Sequence, residues 1–181
     1  MDSNGDTALE FLERQHEDIR ALLSDVEKAP SDDAFQMLVR LLAVHETAEE
    51  MVVYPALKAN VPDGVTLADA RIAEEDEAKK VLADLESMGV EDPQFRAAFR
   101  DFAKSVRAHA GAEERTVFPV MREHLADGLL QTMKAGLVAA QAVAPTHPHR
   151  GAPESAIGNM MVGPFVAIAD RVRDAIRDAT R

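Results

Sequence analysis

The chain has 181 residues and a formal net charge of -12, with 46% apolar residues but only 4% aromatic ones, no tryptophan and no cysteine. That length builds one domain with a proper core, and the missing cysteine excludes disulfides, thiolate metal sites and cysteine nucleophiles. The acidic balance argues against nucleic-acid partners, which need basic surface, and no apolar run approaches the roughly 18–20 residues that span a bilayer.

In chain order, the start MDSNGDTALEFLERQ is polar and acidic and reads neither as a signal peptide nor as a transit peptide, so a cytoplasmic location is expected. A first helix is predicted from about Asp6, as N-cap, to Ala29, where Pro30 stops it. Its apolar stripe is Leu9, Leu12, Ile19, Leu22 and Leu23, and His16 falls in that stripe. A second helix starts near Ser31, with Asp32 and Asp33 favourable at the positive end of the helix dipole. It runs through Phe35, Leu38, Leu42, His45, Glu49 and Val52, and Pro55 kinks or ends it. Val61–Gly64 reads as a turn. The third helix is expected to open at Thr66 with Asp69 behind it in a capping-box-like start, and Gly89 ends it. The fourth begins at Asp92-Pro93 and carries Phe95, Phe99, Phe102, Val106, His109, Glu113 and Val120 on one face, with Asp127-Gly128 closing it.

Four such helices joined by short turns make an all-α protein, an up-down-up-down antiparallel four-helix bundle over residues 1–128. Residues 129–181 read as a C-terminal extension. It comprises a short alanine-rich helix over Leu129–Ala144, a proline-rich linker over Pro145–Pro153 and an amphipathic helix over Pro164–Thr180.

The chemistry lies in two copies of one pattern. HETAEEMVVYP from His45 and HAGAEERTVFP from His109 each place an imidazole and a carboxylate one helical turn apart on the inward face. A core does not accept such groups unless they are paired or bound to a cation. On the third helix Glu75 lies on the apolar stripe of Ala78, Leu82 and Leu85, Glu74 lies at its margin and Asp76 points away. Glu46, Glu50 and Glu114 are expected on the surface or beside the ligands. His16, His45, His109, Glu49, Glu75 and Glu113 thus converge at one depth. Three imidazoles and three carboxylates suit iron or manganese, and zinc less specifically; two carboxylates from facing helices can bridge two ions about 3.5–4 Å apart. HETAE lacks the second His of HExxH, so a zincin protease is discounted. Glu13-x-x-His16 occurs once, which discounts a ferritin-type site. Tyr54, the only tyrosine, stands beside Pro55. A phenolate there is a further possible ligand or catalytic group, but an ideal helix places it on the side away from His45, which favours core packing and a hydrogen bond to an acid.

These motifs, QHED at His16 with the two H-x-x-x-E segments that end in Y-P and F-P, resemble the hemerythrin-like (HHE cation-binding) family of bacterial type, over roughly residues 6–127. The resemblance implies a non-haem di-iron centre, oxo- or hydroxo- and carboxylate-bridged, with His16, His45 and His109 as terminal ligands and Glu49 and Glu113 as bridges. It also implies an imidazole on the third helix. That run, RIAEEDEAKKVLADLE, has none, and Glu75 aligns with the expected position. A harder anionic ligand there favours ferric iron over simple oxygen carriage. The expected partner is a small oxidant (hydrogen peroxide, NO or O2), with peroxide breakdown or NO reduction as the expected activity and reversible O2, NO or iron binding or sensing as the alternative. A monomer or a homodimer fits equally.

Overall fold

The structure is a computed structural model that describes residues 6–142 and residue 144. The expected linker, the expected last helix, His147 and His149 lie outside the described residues. Among the described residues all regular structure is helical, and no helix is long and apolar enough to cross a membrane.

Helix α1 (Ala8–Lys28) is capped by Thr7 rather than Asp6. Thr7 Oγ1 accepts from the Glu10 backbone N–H and Glu10 reaches back to the Thr7 N–H at 2.8 Å, a complete capping box. Asp6 is drawn off instead into ion pairs with Arg14 and, at 3.1 Å, with Lys134. Helix α2 (Asp32–Ala48) is capped by Ser31, as its sequence requires.

Pro55 neither ends nor sharply breaks the second helix. The chain passes through one wide π turn (Glu49–Val53) and continues as α3 (Tyr54–Asn60). Proline has no N–H, and its ring clashes with the carbonyl four residues back. The wide turn accommodates both: the Tyr54 N–H reaches five residues back to the Glu49 carbonyl.

Helix α4 (Gly64–Met88) starts two residues before the expected Thr66. Asp63 takes the left-handed conformation at φ 58°, and Gly64 sits against the end of α3 so closely that a Cβ would come within 2.0 Å of the Leu57 carbonyl oxygen. Only glycine permits that approach. Gly89, at φ 77°, ends α4.

Helix α5 (Phe95–Ala112) begins after a turn in which Asp92 accepts from the Gln94 N–H at 2.8 Å, so Asp92 shapes the turn rather than capping the helix directly. A second π turn (Glu113–Val117) leads to α6 (Phe118–His124), with the Phe118 N–H bonded to the Glu113 carbonyl and Pro119 behind it. The fourth helix therefore closes at His124, where the ring Nδ1–H donates to the Val120 carbonyl at 2.9 Å. Asp127-Gly128 opens α7 (Asp127–Gln141) instead of closing the bundle.

Short turns join α1, α2–α3, α4 and α5–α6 into a ring in which each packs on two neighbours, and α7 lies across α1, α2 and the first π turn. The apolar core is in two parts. One holds Leu9, Leu12, Val52, Leu57, Phe118 and Met121 together with Leu130, Met133 and Leu137 of α7. The other holds Ile19, Leu23, Phe35, Leu42, Leu82 and the stacked Phe95 and Phe99. A layer of polar side chains lies between them.

Candidate metal centre

The polar layer is made of the six residues that the sequence brings to one depth. His16, His45, Glu49, Glu75 and Glu113 are each no more than 2% exposed, and the His109 side chain is 14% exposed. Their atoms converge. His16 Nε2 lies 3.3 Å from Glu113 Oε2, His45 Nε2 lies 3.2 Å from Glu49 Oε2, and His109 Nε2 lies 3.6 Å from both Glu75 Oε1 and Glu113 Oε2.

Two sets of donors could each hold a cation: His16, His45, Glu49 and Glu113, and Glu49, Glu75, His109 and Glu113. Within each set the donor atoms lie within 4.8 Å of one another. The sets share both Glu49 and Glu113, the arrangement a pair of bridged ions needs.

The protons on the rings are placed for this. Each imidazole donates from Nδ1: His16 to Glu114 at 2.9 Å, His45 to the Gln15 amide oxygen at 3.2 Å, and His109 to Glu74 at 2.9 Å. Nε2 of each ring is therefore the bare nitrogen, and it faces the cluster, as metal-binding imidazoles do.

Among the described residues, the buried side-chain atoms without a hydrogen-bond partner are His16 Nε2, both Glu49 oxygens, Glu75 Oε2, His109 Nε2, Glu113 Oε2 and one nitrogen of Arg71. All but the last belong to residues of this layer. Orphaned buried polar atoms are costly, and six in one place are suited to holding a cation. The donor set, imidazole and carboxylate without thiolate, fits iron or manganese.

Electrostatics agree. Burial and mutual repulsion, with Glu113, Glu75 and Glu46 as neighbours, push the Glu49 carboxyl well above its ordinary value. Glu75 is pushed up by burial and by Glu46 and Glu50. Burial raises Glu46 to about 8. Burial drives His45 down, and the His16 and His109 rings add to it. Burial also pushes Glu113 up, but the His16 and His109 rings beside it outweigh that and hold it below its usual value. Without a cation the layer retains protons that a cation would displace.

The helical projection that turns Tyr54 away from His45 fails at the π turn. Nine residues at about 100° each put it opposite His45, but the extra residue in the wide turn brings it round by about 100°. Its hydroxyl enters the layer, hydrogen-bonded to Glu75 and, at 3.0 Å, to Glu113. Its counterpart in the other half, Phe118, stacks on the His16 ring with centroids 5.7 Å apart.

That correspondence extends beyond the two motif helices. Gln15, His16 and Arg20 of α1 match Glu74, Glu75 and Lys79 of α4. Gln15 and Glu74 hold the two H-x-x-x-E histidines. Arg20 pairs with Glu114 at 2.8 Å, and Lys79 pairs with Glu50. Burial opposes the charge on Lys79, but Glu50, Glu46 and Glu75 around it keep it charged. Glu50 and Glu114 are thus half-buried bridges between helices, and Glu46 is buried rather than superficial. The partners Gln15, Arg20 and Lys79 are absent from the sequence-based set. Their signal was available in the one-before and four-after positions relative to His16 and Glu75. Gln141 of α7 also donates to the Gln15 amide oxygen, at 2.8 Å, which ties α7 to the His45 ring.

Residues 7–121 match the family described as the Hemerythrin HHE cation binding domain. An uncharacterized hemerythrin-like protein of Schizosaccharomyces pombe is 27% identical over 165 residues, covering 87% of this chain and 81% of that protein. A DNA nickase of Nostoc sp. is 24% identical over 120 residues, covering 64% of this chain and 34% of that protein. The crystal structure of a Hemerythrin HHE cation binding domain-containing protein from Mycobacterium kansasii aligns with a TM-score of 0.67 at 25% identity, over 91% of this chain and 98% of that one.

Proposed function

The chain belongs to the Hemerythrin HHE cation binding domain family, and from that premise we propose that it holds two iron ions between its four helices and disproportionates hydrogen peroxide. His16 and His45 would hold one ion and His109 and Glu75 the other, with Glu49 and Glu113 available to both. The observation that carries this reading is the pair of donor sets sharing two carboxylates.

Iron bound there supplies two-electron redox chemistry on a small oxidant. One peroxide gives up two electrons and two protons and leaves as O2; a second takes them and leaves as two waters, so no outside reductant is needed. The surrounding residues do the rest. Gln15 and Glu74 orient their imidazoles with Nε2 bare. The two apolar cores flank the layer on either side. Tyr54 holds a proton at its hydroxyl oxygen, between Glu75 and Glu113, where cleavage of an O–O bond consumes protons; burial and the carboxylates of Glu75, Glu49 and Glu113 keep that hydroxyl protonated.

Reversible binding of O2 or NO without turnover is the second reading, favoured by an apolar cavity beside the layer. The DNA nickase relative does not draw the chain toward nucleic acid, since a net charge of -12 repels a phosphate backbone.

The test is metal analysis followed by peroxide. About two irons per chain and one O2 evolved for every two peroxides consumed are expected. Iron-loaded protein that evolves no O2, yet gives a stable and reversible oxygenated spectrum when reduced, moves the function to the second reading.

A further inference from the structure

A cavity of about 300 Å³ reaches the metal layer from the surface. Its walls are Ile19, Leu42, Ala78, Val81 and Val106, and its inner end is formed by His16, His45, Glu75 and His109. It opens between α4 and α5, where Glu77, Ser105 and Ala108 reach solvent.

Part of this space is the site itself, where His16, His45, Glu75 and His109 line it, and the apolar-walled part beyond them is open to a bulkier guest than a small oxidant. A water-sized molecule needs only about 10–15 Å³ of such space, whereas pockets from about 300 Å³ upward, lined mainly by apolar side chains, take organic molecules. The walls also select charge. Moving an ion into an apolar chamber is costly, and the acidic mouth, Glu74 and Glu77, disfavours anions.

The sequence supplies no dithiol relay to the layer. It has no cysteine to form a relay dithiol and no tryptophan, and its one tyrosine is buried in the layer. The cavity gives a diffusible donor direct access to the site, where it can supply the electrons for a net reduction of an oxidant.

We propose that this cavity binds a neutral, apolar organic reductant of the hydroquinone class and presents it to the oxidant at the His/Glu layer. A hydroquinone is uncharged near neutral pH and gives up two electrons together with two protons, so no charge need cross the chamber. The reaction is balanced: both hydroquinone O–H bonds and the peroxide O–O bond break, four O–H bonds of two waters are complete at the end, and the ring leaves as quinone. The step rests on the peroxide reading above; the binding site does not.

The test uses the full chain and two probes, duroquinone for binding and durohydroquinone for turnover. Calorimetry is expected to show saturable one-to-one binding of duroquinone. Val81→Trp, which fills the cavity, weakens it by roughly tenfold or more, about 1.4 kcal/mol, while Val65→Trp, at an exposed position near the start of α4, leaves it unchanged. If Val81→Trp loses its helical circular dichroism, Ala78→Phe serves in its place. No saturable binding, or equal affinity in the filled variants, overturns the site. With iron and peroxide present, durohydroquinone is expected to yield one duroquinone per peroxide consumed; binding without that oxidation overturns the reductant role. Duroquinone binding by iron-loaded protein that evolves no O2 from peroxide alone supports the cavity and removes only the disproportionation reading.

Discussion

Glu74 Oε2 accepts from His109 Nδ1 at 2.9 Å, while the matching acceptor for His45 is the neutral amide of Gln15. The two halves of the centre therefore differ in the charge behind their imidazoles as well as in the His16-for-Glu75 exchange. A carboxylate behind a ring makes its bare nitrogen a stronger donor. Replacing Glu74→Gln is expected to lower affinity for the ion at the His109 position by roughly 10–100-fold, read by competition with a chelator. Affinity for both ions unchanged from wild type would show that Glu74 is merely a surface partner.

Tyr54 is held between the Glu75 and Glu113 carboxylates, and Phe118 shows that a ring without the hydroxyl fits the equivalent place. Tyr54→Phe is therefore expected to fold and load iron normally. Loss of a general acid costs typically 10²–10⁴-fold in rate, so peroxide turnover should fall by at least about a hundredfold, with the visible spectrum unchanged. Disappearance of a visible charge-transfer band in the variant would instead make the phenolate a ligand.

The metal-free protein should lose stability as pH rises from 6.5 to 8. Glu46 holds its proton to about 8 in the fold against 4.5 for the ordinary carboxyl, and Glu49 and Glu75 are also raised. In that interval the unfolded chain has released protons that the fold retains, so unfolding becomes easier with pH. His45 acts oppositely, because its pKa is lowered, but above 6.5 it is largely neutral in both states. The loss is on the order of 1–2 kcal/mol for each such carboxylate. Thermal melts at the two pH values decide it; an equal melting temperature in the metal-free protein contradicts the assignment.

Glu49 is shared by both donor sets and has no hydrogen-bond partner for either oxygen. Glu49→Gln should bring bound iron below one per chain. The same change should stabilise the metal-free fold at pH 8, by about 1–3 kcal/mol, because the cost of keeping a titratable carboxyl buried among other acids is removed. Parallel metal analysis and melting curves test both halves, and a variant that loses iron and stability together would be a folding defect instead.

Gly64→Ala tests how α3 and α4 are joined. The added Cβ would meet the Leu57 carbonyl oxygen at 2.0 Å, backbone against backbone. A loss of roughly 1–3 kcal/mol is expected from such overpacking, measured by denaturant unfolding; a neutral outcome would mean that the turn shifts freely.

Much of the bundle is legible in local sequence. Ser31, Gly89 and the apolar stripes mark their helices because caps and burial are short-range matters. The boundaries that shifted were those decided by contact between segments. Asp6 is taken by Arg14 and Lys134, which leaves the cap to Thr7. Gly64 starts α4 early because α3 lies against it. Asp127 opens a new helix because Leu130, Met133 and Leu137 find a core built from several other elements.

By itself the sequence determined which side chains face inward and at what depth. Helical periodicity is a property of each segment alone, and it brings His16, His45, Glu49, Glu75, His109 and Glu113 together. Only the tertiary structure decided how they act as a set. It showed which atom of each imidazole is bare, because that depends on Gln15, Glu74 and Glu114 from neighbouring helices. It placed the Tyr54 hydroxyl in the layer, because the π turn before Pro55 rotates the rest of the helix, a shift that a fixed angle per residue does not contain.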